Sequence, residues 1–254
     1  MNNYSSFAYV YDQLMSDAPY EEWIDFTNAI IEKYGINPKE IIDIGCGTGN
    51  LSIPLSKLGY EMIGVDLSNE MLAIAKEKMI LNNVSFLLIE QDMLELDLDI
   101  TAKLIISYCD SLNYLSGIEE IKTAFTKIHK HLGMGGYFIF DLHSAYKLTD
   151  IYNGQTYAWN DEDVSIIWLT DVNVTELTVE HDLTFFIKKE DGSYAKFQEI
   201  HNQRTYQVDV IKELLEETGF ELLDVYGDFE QEPVTETTER IFYVARKKRG
   251  DGSS

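Results

Sequence analysis

A chain of 254 residues with 45% hydrophobic content is long enough for one α/β domain with a large core, or a domain carrying a sizeable insertion. Its 20 Lys and Arg stand against 44 Asp and Glu, a formal net charge of −24, which repels phosphate backbones and argues against nucleic-acid binding. No apolar run approaches the length of a membrane span, and the N-terminal MNNYSSFAYVYDQ lacks a basic segment followed by an apolar core, so no membrane partner is expected and the cytoplasm is the expected location.

The first part of the chain alternates strand-like and helix-like segments. EIIDIG reads as a strand, GNLSIPLSKLG as a helix stopped by Gly59, and YEMIGVD as a second strand. SNEMLAIAKEKMILN is a helix with Ser68 as N-cap and Glu70 in the first turn, where the helix dipole favours an acid. VSFLLIEQD and AKLIISYCD are the third and fourth strands. GIEEIKTAFTKIHKHL is a helix with Ile118, Ile121, Phe125, Ile128 and Leu132 at helical spacing, and GGYFIFDLH is a fifth strand. Short apolar strands separated by helices specify a doubly wound, Rossmann-like, mostly parallel sheet of seven strands, with the functional loops at one edge.

The pattern changes near residue 150. The stretch from QTYAW to RTYQ is rich in Thr, Val, Ile and aromatics and is broken by NDED and EDGS, which predicts an inserted antiparallel β cap with a hairpin turn at Asp191-Gly192. The α/β pattern resumes with the helix QVDVIKELLEETGF and the strands ELLDVYGDF and RIFYVARK. The expected division is a core of residues 1–150 and 206–249, an inserted subdomain at 151–205, and a tail at 250–254. The basic RKKR at its border reads as a solvated tail. The inserted strands would cap an acceptor pocket or form a homodimer surface, to which Trp159 and Trp168 would belong. Two cysteines, Cys46 and Cys109, make no disulfide framework and are expected as free thiols, although they end neighbouring strands. The five histidines show no zinc-site spacing, so no metal is expected.

IIDIGCGTGN places Gly45, Gly47 and Gly49 directly after the first strand. A glycine turn between strand and helix lets backbone approach a ligand closely. The second strand ends in Asp66, 17 residues past Gly49, where an acid can accept hydrogen bonds from two ribose hydroxyls, and the third strand ends in another acid, Asp92, followed by Met93. A nicotinamide-dependent oxidoreductase shares this kind of sheet, but the G-x-G-x-G spacing, the DLSNEML helix and the third acid argue against it.

The segment IIDIGCGTGNLSIPLSKLGYEMIGVDLSNEMLAIAKEK, with QDM after it, resembles the first three motifs of the class I S-adenosylmethionine-dependent methyltransferases. The resemblance runs from residue 1 to about 142 and resumes at VIKELLEETGF. It implies that the backbone at Gly45, Cys46 and Gly47 passes along the methionine part of the cofactor, with Gly49 joining the cofactor-side residues by letting helix and strand pack closely, and that Asp43 faces the cofactor's ammonium. Asp66 would hold the ribose, Leu67 and Met71 would pack near the adenine, and Asp92 and Met93 would read its amino edge. An acidic cleft suits a ligand bearing a sulfonium and an ammonium. FAYVYDQLM and SYCDSLNYL resemble a group of small bacterial methyltransferases acting on small molecules, in which a segment before the first motif closes over the cofactor. Tyr11 would be its functional residue, with Tyr4, Phe7 and Tyr9 behind it.

Methyl transfer needs a positioned nucleophile, water excluded and, for some acceptors, a base. The loop Cys109-Asp110-Ser111-Leu112-Asn113-Tyr114 lacks the N/D-P-P-Y/F grip for planar amines. Asp110 joins the cofactor-side candidates, and Asp110 and Asn113 could orient an acceptor or cap the helix nearby. His143, with Asp141 beside it at the end of strand five, is the best-placed general base. In EIHNQRTYQ, Arg204 could bind an acceptor carboxylate or pair within an acidic protein. The reading is a methyltransferase acting on a small molecule; a non-catalytic cofactor-binding module and an RNA methyltransferase are the alternatives, the latter opposed by the charge of −24.

Overall fold

The structure, a computed structural model, describes residues 18–248 together with Asp12 and Met15. Tyr4, Phe7, Tyr9 and Tyr11, and the tail at 250–254, lie outside the described residues.

Seven strands form one sheet: β1 (Glu40–Ile44), β2 (Glu61–Asp66), β3 (Leu87–Glu90), β4 (Ala102–Ser107), β5 (Leu132–His143), β10 (Phe220–Gly227) and β11 (Arg240–Lys247). Their order is β10-β11-β5-β4-β1-β2-β3. β3, β2, β1, β4 and β5 run parallel, while β11 pairs antiparallel with both β5 and β10. β1 lies between β2 and β4, so the connections leave it in opposite directions and open a crevice at its C-terminal end. Ile41, Ile42 and Ile44 of β1 are buried on both faces, which is why this strand reads as an unbroken apolar run.

The helices α1 (Tyr20–Lys33), α2 (Ser52–Lys57), α3 (Asn69–Leu81), α4 (Ile118–Lys130) and α5 (Val208–Glu217) cover the sheet. One core layer joins Ile121, Phe125 and Ile128 of α4 and Ile211 and Leu215 of α5 to Ile42, Ile44 and Val65. The other joins Trp23, Phe26 and Ile30 of α1 and Leu55 of α2 to Ile41, Met62, Leu104 and Ile106. Ser68 caps α3 as its sequence predicts, its hydroxyl accepting from Met71 N at 3.2 Å. No helix among the described residues is long and apolar enough to cross a membrane.

The second sheet is a four-stranded antiparallel meander of β6 (Thr156–Asn160), β7 (Val164–Asn173), β8 (Thr178–Lys188) and β9 (Tyr194–Arg204). The β8–β9 loop carries Gly192 at φ 80°, which fits the predicted hairpin. The sheet seats on a π-helical segment, Lys147–Tyr152, through Leu148, Tyr152 and Val179. It is stapled to the first sheet by Asn113, which donates to Arg204 O at 2.7 Å and accepts from His143 N at 3.1 Å. Thr205 adds a hydroxyl bond to His143 O.

Several local expectations change. β3 spans four residues, so Asp92 stands in the turn beyond it rather than at its end. Ile118 is 47% exposed at the start of α4, and Leu132 begins β5 instead of ending the helix. Arg246 and Lys247 of RKKR are strand residues: Arg246 pairs with Glu221 at 2.6 Å, and Lys247 donates to the carbonyls of His129 and Leu132. α1 is absent from the sequence reading, although Trp23, Phe26, Thr27 and Ile30 form a buried stripe at helical spacing.

Candidate functional site

β1 enters its turn through Gly45, Gly47 and Gly49 at φ 77°, 53° and 79°. These left-handed angles are open to glycine and strained for other residues. A Cβ on Gly45 would run into the Ser111 side chain, whereas one on Gly47 would meet no atom of the described residues within 4 Å. The first glycine therefore lets the loop after β4 close on β1, and none of the described residues fills the space above the second. Cys46 turns its sulfur against Gly64 of β2, away from β4, and both cysteines are free thiols.

Two carboxylates flank this loop. Asp43, 2% exposed, accepts the Ser52 hydroxyl at 2.6 Å. Burial pushes its pKa up to about 7; the serine bond opposes that rise and the charge of Asp66 adds to it. Asp66, at the end of β2, accepts Gly47 N at 2.7 Å and Ser68 N at 2.9 Å. Burial raises its pKa, and those backbone donors restrain the rise. Leu67 is 68% exposed beside it, and Met71 is half-buried on the first turn of α3. Asp92 accepts Leu94 N at 2.8 Å in the turn after β3, while Met93 packs on the core. Asp12 reaches the same loop: it accepts from Thr48 at 2.5 Å and Asn50 at 3.2 Å and pairs with Lys78 of α3 at 2.8 Å.

A second group assembles over β4, β5 and β11. Cys109 and Asp110 are consecutive left-handed residues at φ 54° and 57°. Their backbone N–H groups donate to the Asp141 carboxylate at 3.3 and 3.0 Å, which compensates the strained turn. Asp141 also accepts the Trp23 indole N–H at 2.6 Å and pairs with Arg240 at 3.0 Å. Arg240 lies over the Trp23 ring and donates to Asp110 at 3.1 Å. Asp110 also takes an amide bond from Gln203 at 2.9 Å and stands 3.4 Å from His143 Nε2. Burial alone would raise the Asp110 pKa, but the adjoining His143 and Arg240 hold it well below the carboxylate range. His143, 3% exposed, has its pKa lowered by burial, against the pull of Asp110. Its Nδ1 is buried with no hydrogen-bond partner among the described residues.

Thus the structure brings Asp43, the three glycines and Asp66 together on one side of β1, and Asp110 with His143 on the other. Asp110 begins the turn before Ser111 without capping it, and Asn113 is a buried staple rather than a free polar group. Arg204 donates to Ser116 O at 2.9 Å, with Glu176 at 3.8 Å. Trp168 lies on the inner face of the second sheet, and Trp159 is 39% exposed. Arg240 and Gln203 were missed by the sequence reading. Arg240 had a signal: a last strand antiparallel to β5 must begin where β5 ends. A cavity of about 260 Å³ opens beside Arg240, walled by Trp23, Phe229 and Lys147.

Residues 41–136 match a family model described as a methyltransferase domain. A protein of Geobacillus sp. (strain WCH70) named "Putative methyltransferase" is 42% identical over 245 residues, covering 96% of this chain and 99% of its own. The crystal structure of an S-adenosylmethionine-dependent methyltransferase from Clostridium acetobutylicum superposes with a TM-score of 0.87 at 30% identity, covering 97% of this chain and all of the other. The S-adenosylmethionine-bound amino pentose methyltransferase CalS10 from Micromonospora echinaspora has the same fold, with a TM-score of 0.74 at 16% identity over 94% of this chain and 96% of its own.

Proposed function

The chain belongs to the class I S-adenosylmethionine-dependent methyltransferases, and we propose that its acceptor is a small molecule held between the loops after β4 and β5 and the inner face of the second sheet. The observation that carries this reading is the seating of that sheet on the catalytic edge, through Asn113–Arg204 and Gln203–Asp110, which narrows access to the end of β5. The net charge of −24 opposes an RNA acceptor, and a neighbour of the same two-sheet fold acts on an amino pentose. The division into a core of 1–150 and 206–249 with an insertion at 151–205, and a cytoplasmic location, belong to the same reading.

S-adenosylmethionine is the cofactor, and the residues present fit it. The open space over Gly47 admits a ligand against backbone, and Asp43 is a buried carboxyl with a single hydroxyl donor, suited to an ammonium. We assign Gly45, Cys46 and Gly47 to its methionine part, Gly49 to the close helix–strand packing that shapes this loop, Asp66 to its ribose, and Leu67, Met71, Asp92 and Met93 to its adenine. Bound there, it supplies the electrophilic methyl group, displaced in line from a sulfonium. The chain's own task is to hold the nucleophile, exclude water and take a proton where the acceptor carries one. His143 is our candidate for the proton, since its Nδ1 is unpartnered and its Nε2 faces Asp110. Asp110 then acts through His143, because its carboxylate is committed to Gln203, Arg240 and His143. Arg204, turned onto Ser116, orders the loop that borders the acceptor.

Calorimetric titration with S-adenosylmethionine, S-adenosylhomocysteine and NAD tests the cofactor assignment. Micromolar binding of the adenosyl ligands is expected, weakened by Asp66→Ala on the order of tenfold to a hundredfold as charged hydrogen bonds are lost. Labelled methyl transfer to a cell extract then tests the acceptor. Label recovered in the low-molecular-weight fraction supports the reading; label only in RNA or protein overturns it.

A further inference from the structure

We infer that Gln203, aligned by His181 and Trp168 of the second sheet, is a positioning residue that fixes the Asp110 carboxylate against His143. The inference rests on the reading of His143 as the proton acceptor.

The chain of bonds has one possible direction. The indole N–H of Trp168 can only donate, and it points at His181 Nδ1 at 3.0 Å. Nδ1 therefore accepts, and the imidazole proton sits on Nε2. His181 Nε2 faces Gln203 Oε1 at 3.1 Å, so the amide oxygen must be the end turned toward the histidine. The amide NH2 is left to face Asp110 Oδ2, which it does at 2.9 Å. A flipped amide would set N–H against N–H at one end and oxygen against carboxylate at the other. The register explains how three strands build this line. Trp168 pairs with Leu183, His181 with His201, and Val179 with Gln203, so the three side chains step diagonally across β7, β8 and β9 on one face.

The line ends on the atom that matters. Asp110 Oδ2 is also the oxygen 3.4 Å from His143 Nε2, while Oδ1 takes Arg240. A carboxylate held in this orientation draws the His143 proton to Nε2 and leaves Nδ1, buried and unpartnered, as the basic nitrogen. The charged and titratable groups facing His143 among the described residues are Asp110 after β4, Arg240 of β11, Lys147 and Tyr152 of the π-helical segment, the latter edge-on at 5.7 Å between ring centroids, and His181 of β8. His181 stays neutral because a proton on Nδ1 would oppose the indole N–H, and burial already lowers its pKa to about 4. The line is not needed to attach the second sheet, since Asn113 and Thr205 already staple it.

The test is a pH titration of the chain labelled with 15N-histidine, followed by NMR. In the unaltered protein His181 and His143 are expected as Nε2–H tautomers. Gln203→Glu replaces the donor by a second carboxylate, and should raise the His143 pKa by about one unit or more. Trp168→Phe frees His181 to exchange tautomers and should introduce a mixed tautomer signal at both His181 and His143. His129, packed on Phe220 at the end of α4, is the internal reference and should not move. An unchanged His143 titration and tautomer in both variants, with folding intact by circular dichroism, overturns the inference. Should Gln203→Glu fail to fold, Trp168→Phe decides alone. Coupling seen by NMR while His143→Gln leaves methyl transfer unchanged would retire the base assignment and leave the alignment standing.

Discussion

Trp23 and Asp141 lie 118 positions apart in sequence, yet the indole N–H of one donates to the carboxylate of the other at 2.6 Å. Asp141 is fully buried and serves four partners: Trp23, Arg240 and the N–H groups of Cys109 and Asp110. Removing one partner of a buried ion pair strands the other charge. Asp141→Ala should therefore cost about 3–5 kcal/mol in urea unfolding, and Trp23→Phe about 1–3 kcal/mol. An unchanged midpoint for Asp141→Ala would mean that the left-handed turn does not depend on it.

Gly45 and Gly47 should respond differently to alanine. Both carry left-handed angles, so each substitution costs about 1–2 kcal/mol of backbone strain. Only Gly45→Ala also strikes Ser111, so it should lower the melting temperature further, and Gly45→Ala with Ser111→Gly should recover part of that loss. Gly47→Ala meets no described atom above the loop, so its melting temperature should fall only by the backbone-strain share, while S-adenosylhomocysteine binding should weaken by more than about tenfold. Equal binding by parent and Gly47→Ala would place the ligand elsewhere.

The assignment of Asp43 to the cofactor's ammonium predicts a pH dependence of affinity with a definite sign. Its folded pKa of about 7 lies above the unfolded carboxyl value of about 3.9. Between those values the folded chain keeps a proton that the unfolded chain has released, so this group's contribution to stability falls as pH rises through that window. A bound ammonium would reverse the preference for the neutral form. S-adenosylhomocysteine affinity should thus climb with pH below about 7, approaching tenfold per unit, and level above it. Asp43→Asn should bind weakly and without that slope; a slope kept in the variant would assign it to another group.

Asn113 offers a test of the seam between the sheets. Its amide donates to Arg204 O and accepts from His143 N, and it is fully buried. Asn113→Asp turns the donor into a buried charge facing a carbonyl, and should destabilise by about 3 kcal/mol or more; Asn113→Ala should cost about 1–3 kcal/mol. Limited proteolysis of the β8–β9 loop, Lys189 to Ser193, should accelerate in both. Parent-like cleavage in Asn113→Asp would show the seam to be held elsewhere.

The parts of this molecule that follow local rules were legible in the sequence. Parallel strands covered on both faces leave apolar runs, glycines mark a turn that only they can make, Asp43 is the one acid inside the apolar run of β1, and Asp66 follows from where β2 stops. The four-stranded meander announced itself by its Thr, Val, Ile and aromatic content and by the turn signals NDED and EDGS, and its β9 does alternate exposed and half-buried residues. What was not legible depends on partners remote in sequence. Nothing near Arg204 says that its guanidinium will meet Ser116, and nothing near Asp110 names Gln203, Arg240 and His143 as its company. α1 went unread because its stripe of Trp23, Phe26, Thr27 and Ile30 lies upstream of the strand–helix alternation that organised the rest of the reading.

The place of β11 has a consequence for synthesis. Arg240 is the cation that pairs with both Asp110 and Asp141, yet it is made 130 residues after the first of them. A chain emerging from the ribosome can pair β1 with β2 and β4 early, but must carry two acids at the edge without this counter-charge until its last hairpin is out. Closure of this edge of the sheet therefore waits for β11, and a chain truncated before Arg240 would have a sheet that can begin to form but an edge that cannot close.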